Sequence, residues 1–192
     1  MSASHPSRSW WTWFAGFLSF PIAGVAGTAA VGRVDSPIAA LVGGTVAGLV
    51  IGAAQALLSR RLDPRRWIPA TALGMGLGLL VGASIVGYRT SLPDLAIMGA
   101  LTGAVLGPVQ ALALPSRTRA RWLWGAAMPA LWASGWIATT LGGISVQDQF
   151  TVFGAYGAIT FSALSGLLLG RLVPDRTSVP SGPAPATARI AS

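Results

Sequence analysis

Gln55 and Gln110 are primary amides set 55 residues apart, and each closes the same pattern of small residues. Gly44, Gly48, Gly52 and Gln55 recur as Gly99, Gly103, Gly107 and Gln110. At the third offset the set reads Gly154, Ala158, Ser162 and Ser165, so a hydroxyl replaces the amide. A primary amide has two donors and a carbonyl acceptor, and leaving it unpaired in an apolar medium is costly. One reading makes Gln55, Gln110 and Ser165 a polar axial site, a constriction or ligand contact. The plainer reading, and the one expected, is hydrogen bonding between helices, worth about 0.6–2 kcal/mol per pair.

Other chemistry is scarce. The chain has no Cys, Lys, Glu or Asn, and its single histidine, His5, lies in a short polar N-terminal segment. Thiolate metal sites, disulfides and cysteine nucleophiles are therefore excluded. Histidine haem ligation at depth lacks its ligand, and Ser-His or paired-Asp hydrolysis lacks its base or its dyad. Gly74, Gly76 and Gly78 are not a dinucleotide fingerprint, since they sit inside an apolar run with no strand before them. The expectation is a protein that is not an enzyme, with no catalytic residues, metal or cofactor.

The elements that position the glutamines are apolar runs. Six stand out, at roughly 10–32, 37–58, 67–87, 95–114, 122–142 and 150–170. Each is long enough for a helix of about 20 residues to cross the hydrocarbon core. Only 9% of the chain is charged, against about 25% in a soluble domain. The fold class expected is all-α: a polytopic membrane bundle of six transmembrane helices, arranged as three tandem hairpins of period 55 at about 10–58, 67–114 and 122–170. Residues 1–9 read as a short cytoplasmic segment, 10–173 as the membrane domain, and 174–192 as a disordered, Pro-rich cytoplasmic tail. The first run could pass for a signal peptide, but it supplies half of the first hairpin and is expected to be retained.

All thirteen cations are arginine. The N-terminus, the second and fourth connections and the tail carry eleven of them; Arg33 and Arg89 lie in the other connections. The positive-inside rule then places both termini in the cytoplasm. Composition suggests a bacterial source, hence the inner membrane. The formal charge of +8 thus reflects topology, and nucleic acid is not an expected partner. Arg60, Arg61, Arg65, Arg66, Arg117, Arg119 and Arg121 form a basic girdle suited to anionic lipid head groups. Trp10, Trp11, Trp13, Trp67, Trp122 and Trp124 open the odd-numbered runs, at the interface that indoles favour. Trp67 recurs at period 55 as Trp122. Asp35, Asp94 and Asp148, one per outer connection, read as helix-start charges rather than as a cation ring.

Steps of 4, 4 and 3 residues hold each small-residue set within an arc of about 80° on a helix. In lipid such faces let backbones approach and gain dispersion contact. Gly44, Gly48, Gly52, Gly99, Gly103, Gly107 and Gly154 are therefore expected at helix contacts. The even-numbered helices should lie inside and the tryptophan-bearing odd ones outside.

The order G-x-x-x-G-x-x-Q, a basic loop, then Trp opening the next helix resembles uncharacterised multi-pass bacterial membrane proteins with repeated helix hairpins. It spans most of residues 16–170. The resemblance implies a fold and a location but lends no activity and no substrate. Two functions fit: a structural, assembly or partner-binding membrane subunit, and a passive channel or transporter for a small neutral or weakly polar solute along a threefold axis. The first is expected, because the runs bury no charge. Membrane lipids, other membrane subunits and further copies of the chain are the partners in view.

Overall fold

The computed structural model describes residues 8–59, 61–118, 120–144, 146 and 151–173. The described residues are helical throughout their regular structure and contain no strand. The chain enters through α1 (Arg8–Phe14), tightens into a 3₁₀ turn (Ala15–Leu18) and continues as α2 (Ser19–Val31). Then come α3 (Pro37–Leu58), α4 (Pro64–Ile85), α5 (Leu92–Ala113), α6 (Arg121–Leu141) and α7 (Ala155–Leu172). Five segments are long and apolar enough to cross a membrane: Trp10–Val31, α3, α4, α5 and α7. This is the character of a multi-pass membrane protein. The sixth, α6, has the length, but Trp122, Trp124, Trp132 and Trp136 with Ser134, Thr139 and Thr140 make it less apolar.

Local chemistry sets the helix starts. Ser36 caps α3 by accepting from the Ala39 amide, and Ser91 caps α5 by accepting from the Asp94 amide. Asp63 caps α4 through the Arg65 amide. Proline follows each of these caps within two residues, where its missing N–H has no intrahelical partner to lose. Asp94 lies in the first turn of α5, Asp35 is exposed beside the Ser36 cap, and Asp148 lies outside the described residues.

The glycine stripes join α3 to α4 and α5 to α6. Gly44, Gly48 and Gly52 on α3 lie against α4, and Gly99, Gly103 and Gly107 on α5 lie against α6. A β-carbon on Gly48 would stand 2.7 Å from the Thr71 carbonyl oxygen and 2.8 Å from Ala72 Cα. One on Gly103 would collide with the Met128 carbonyl. Main chain meets main chain at these seams, and only glycine permits it. The closest helix pairs are thus α3 with α4 and α5 with α6, not the partners within each hairpin.

Three expectations are corrected. The last run does not begin a helix at 150: Thr151, Val152 and Phe153 are non-helical and buried, and α7 starts at Ala155. Gly154 is consequently the residue before that helix rather than inside it, where it lies against Thr139 of α6 and Ile144 just beyond; Gly157 makes the close main-chain approach to Gly135 on α6. The helices of the odd-numbered apolar runs (α1–α2, α4 and α6) are not peripheral, because Trp13, Trp67, Trp124, Trp132 and Trp136 are all buried.

Candidate functional site

At the end of the bundle that carries the basic connections, three indoles meet. Trp13 comes from α1, Trp67 from α4 and Trp124 from α6. Their ring centroids are 6.4 Å apart for Trp13–Trp67, 6.0 Å for Trp13–Trp124 and 5.9 Å for Trp67–Trp124. The planes cross at 60–82°, so each edge meets a face. That geometry aligns the positive ring edge with the negative face, worth about 0.5–1.5 kcal/mol per pair beyond area burial.

Each indole N–H is spent on a different helix. Trp67 donates to Gln55 Oε1 at 3.0 Å, Trp124 to Gln110 Oε1 at 3.1 Å, and Trp13 to Ser165 Oγ at 3.0 Å. Gln110 uses its Nε2 to donate to Thr71 Oγ1 at 3.0 Å, and Thr71 passes its own proton to the Trp67 carbonyl at 2.9 Å. This sequence of donors fixes the orientation of the Gln110 amide. The network ties α5 to both neighbours, α4 and α6. It satisfies in the interior the polar atoms that hydrocarbon could not.

The opposite half of the centre is filled by rings. Phe153 stacks on Phe20 at 5.0 Å and lies 4.8 Å from Trp132 and 5.9 Å from Trp136. Phe161 closes the group at 5.6 Å from both Phe20 and Trp132. Beyond it lies a cavity of about 10 Å³ between Val34, Thr90 and Val146, one residue from each connection at that end. It is no larger than one water-sized sphere. Beside it Arg89 forks onto Asp94 with Nε and Nη2 at 3.0–3.2 Å. The hydrogen bonds and the charge of that carboxylate hold Arg89 above the ordinary arginine range. Arg89 is exposed and Asp94 half-buried, so solvent partly screens the pair.

Gln55, Gln110 and Ser165 are all buried, and each is joined to an indole. The indoles, not the amides, occupy the centre between them. Of the girdle, Arg65, Arg66 and Arg117 are exposed, while Arg121 is half-buried with its guanidinium 5.8 Å above the Trp122 ring. Arg61 is turned inward, with 9% of its surface exposed, and so departs from the head-group set. Arg60 and Arg119 lie outside the described residues.

The triad was not anticipated. Period 55 pairs Trp67 with Trp122, yet Trp122 is 54% exposed and Trp124 is fully buried. The cause is loop length: residues 59–63 make the connection before α4, and residues 114–120 make the longer one before α6. Two extra residues carry the inward position from 122 to 124. The repeat period and the distance from the glutamine both point to Trp122, 12 residues after Gln110; the readable signal was the longer basic connection, which moves the partner to 14 residues.

As chemistry, the site is a latch. It contains amides, hydroxyls and indoles, and none of these gains or loses a proton near neutral pH. No family model matches the chain, and comparisons with curated proteins and with solved structures return no match.

Proposed function

We propose that this chain is a structural or assembly subunit of the bacterial cytoplasmic membrane, non-catalytic and with both termini in the cytoplasm. On this reading it is built from three tandem hairpins whose junctions are the three indole hydrogen bonds. The Trp13–Trp67–Trp124 triad carries the proposal. A solute path along the centre would need polar groups facing open space. The buried amides instead face indoles, and aromatic rings fill the other half. The exposed apolar residues of α3, α4, α5 and α7 suit lipid tails or another membrane helix. Arg65, Arg66, Arg117 and Arg121 suit anionic head groups, with exposed Trp11 and Trp122 at the same level.

The test is solute flux. Purified protein in liposomes should leave osmotic swelling in glycerol or urea at the rate of empty vesicles. Faster swelling that Gln55→Leu with Gln110→Leu abolishes would establish the channel instead.

A further inference from the structure

Two seams of the bundle are closed by helix on helix, and one is not. Toward the basic end α7 meets α1, with Gly166 against Trp10 and Trp13. Toward the other end α2 and α7 barely touch. Thr151, Val152 and Phe153 fill the space between them. Thr151 lodges against Gly27 of α2 and Gly43 of α3, and Val152 lies against Gly24. Phe153 lies against Gly135 of α6 and reaches the ring cluster.

Side-chain contacts hold this segment. Among the described residues, no main-chain to main-chain hydrogen bond joins 151–153 to the surrounding helices. The Thr151 hydroxyl is buried and has no hydrogen-bond partner. Such a hydroxyl gains by reaching water, so it favours withdrawal. Phe153 opposes withdrawal, since its ring would leave four aromatic neighbours.

We infer that Thr151–Phe153 is a retractable wedge, and that the α2–α7 seam is the side on which the bundle opens. The glycine notch and the aromatic slot hold the wedge in, and the unpaired hydroxyl and unbonded main chain keep the closed state shallow. Opening is lateral, toward lipid, and is independent of any path through the triad.

A disulfide can lock it. A β-carbon built on Gly43 stands 3.8 Å from Thr151 Cβ, the mean separation of about 3.8 Å found in disulfides. The chain has no cysteine of its own. Gly43→Cys with Thr151→Cys should therefore oxidise to a bridged form in nanodiscs. Amide hydrogen exchange at Val152 and Phe153 should then slow at least tenfold relative to the reduced form, with Ala158–Ser165 unchanged. Failure of the bridge to form in folded protein, or exchange indifferent to it, would overturn the wedge. Thr151→Val provides a second test that leaves the notch intact. Removing the hydroxyl should slow the same two amides several-fold, and unchanged or faster exchange would count against the inference.

Discussion

The indole N–H of Trp13 donates to Ser165 Oγ at 3.0 Å across 152 positions of sequence, joining the first helix to the last. It does at that junction what Trp67 does for Gln55 and Trp124 for Gln110. A serine serves in place of a glutamine because the Trp13 indole itself reaches α7: a β-carbon on Gly166 would stand 2.7 Å from Trp13 Cδ1.

The two tryptophans that open α6 should behave oppositely. Trp124→Phe removes the donor to Gln110 and shrinks a buried ring, costing roughly 1–3 kcal/mol. Trp122→Phe alters an exposed ring and should stay within about 0.5 kcal/mol of wild type. Unfolding in detergent measures both. Equal losses would place the wrong indole in the triad.

The glycine seams make a graded prediction. Gly48→Leu and Gly103→Leu drive side chains into the main chain of α4 and α6, and should cost about 1–3 kcal/mol or more. A β-carbon on Gly170 of α7 meets nothing within 4 Å. Gly170→Ala should therefore stabilise by roughly 0.5–1 kcal/mol through helix propensity. A neutral Gly48→Leu would contradict close backbone contact.

Arg65 and Arg66 are exposed where Arg61 is not. Arg65→Gln with Arg66→Gln should weaken retention of anionic lipid by about 1 kcal/mol per arginine, less at high salt. Native mass spectrometry of the lipid-bound protein reads this directly. Undiminished retention in the double variant would remove these residues from the head-group set.

Topology is open to labelling because the chain lacks cysteine. Ser116→Cys sits in a basic connection and Asp35→Cys in an outer one, both exposed. An impermeant thiol reagent should reach them from opposite faces of sealed vesicles. Modification of both from one face would contradict three crossings, by α3, α4 and α5, between these two positions.

The helical spans were legible because nothing in them breaks the apolar run, and the caps because serine or aspartate precedes proline. The start of α7 was not. Thr151, Val152 and Phe153 read as more of an apolar run, and only their packing against Gly27, Gly43 and Phe20 takes them out of the helix. Gln55 and Gln110 were readable as buried amides hydrogen-bonded between helices, but which residues would partner them was not. A tryptophan beside arginines reads as interfacial, and Trp122 behaves so. Trp67 and Trp124 do not, because helix rotation, set by loop length, decides which indole turns inward. Arg61 shows a similar limit: charge type announces the girdle, and the course of the 59–63 connection turns one member inward.

The most direct measurement is a double-mutant cycle across the closing bond. Trp13→Phe, Ser165→Ala and the pair together should be unfolded under one set of conditions. A closed ring predicts a coupling of roughly 0.6–2 kcal/mol between the first helix and the last. Additive losses within about 0.3 kcal/mol would mean that Trp13 and Ser165 do not hold each other, and that the bundle is not closed through its triad.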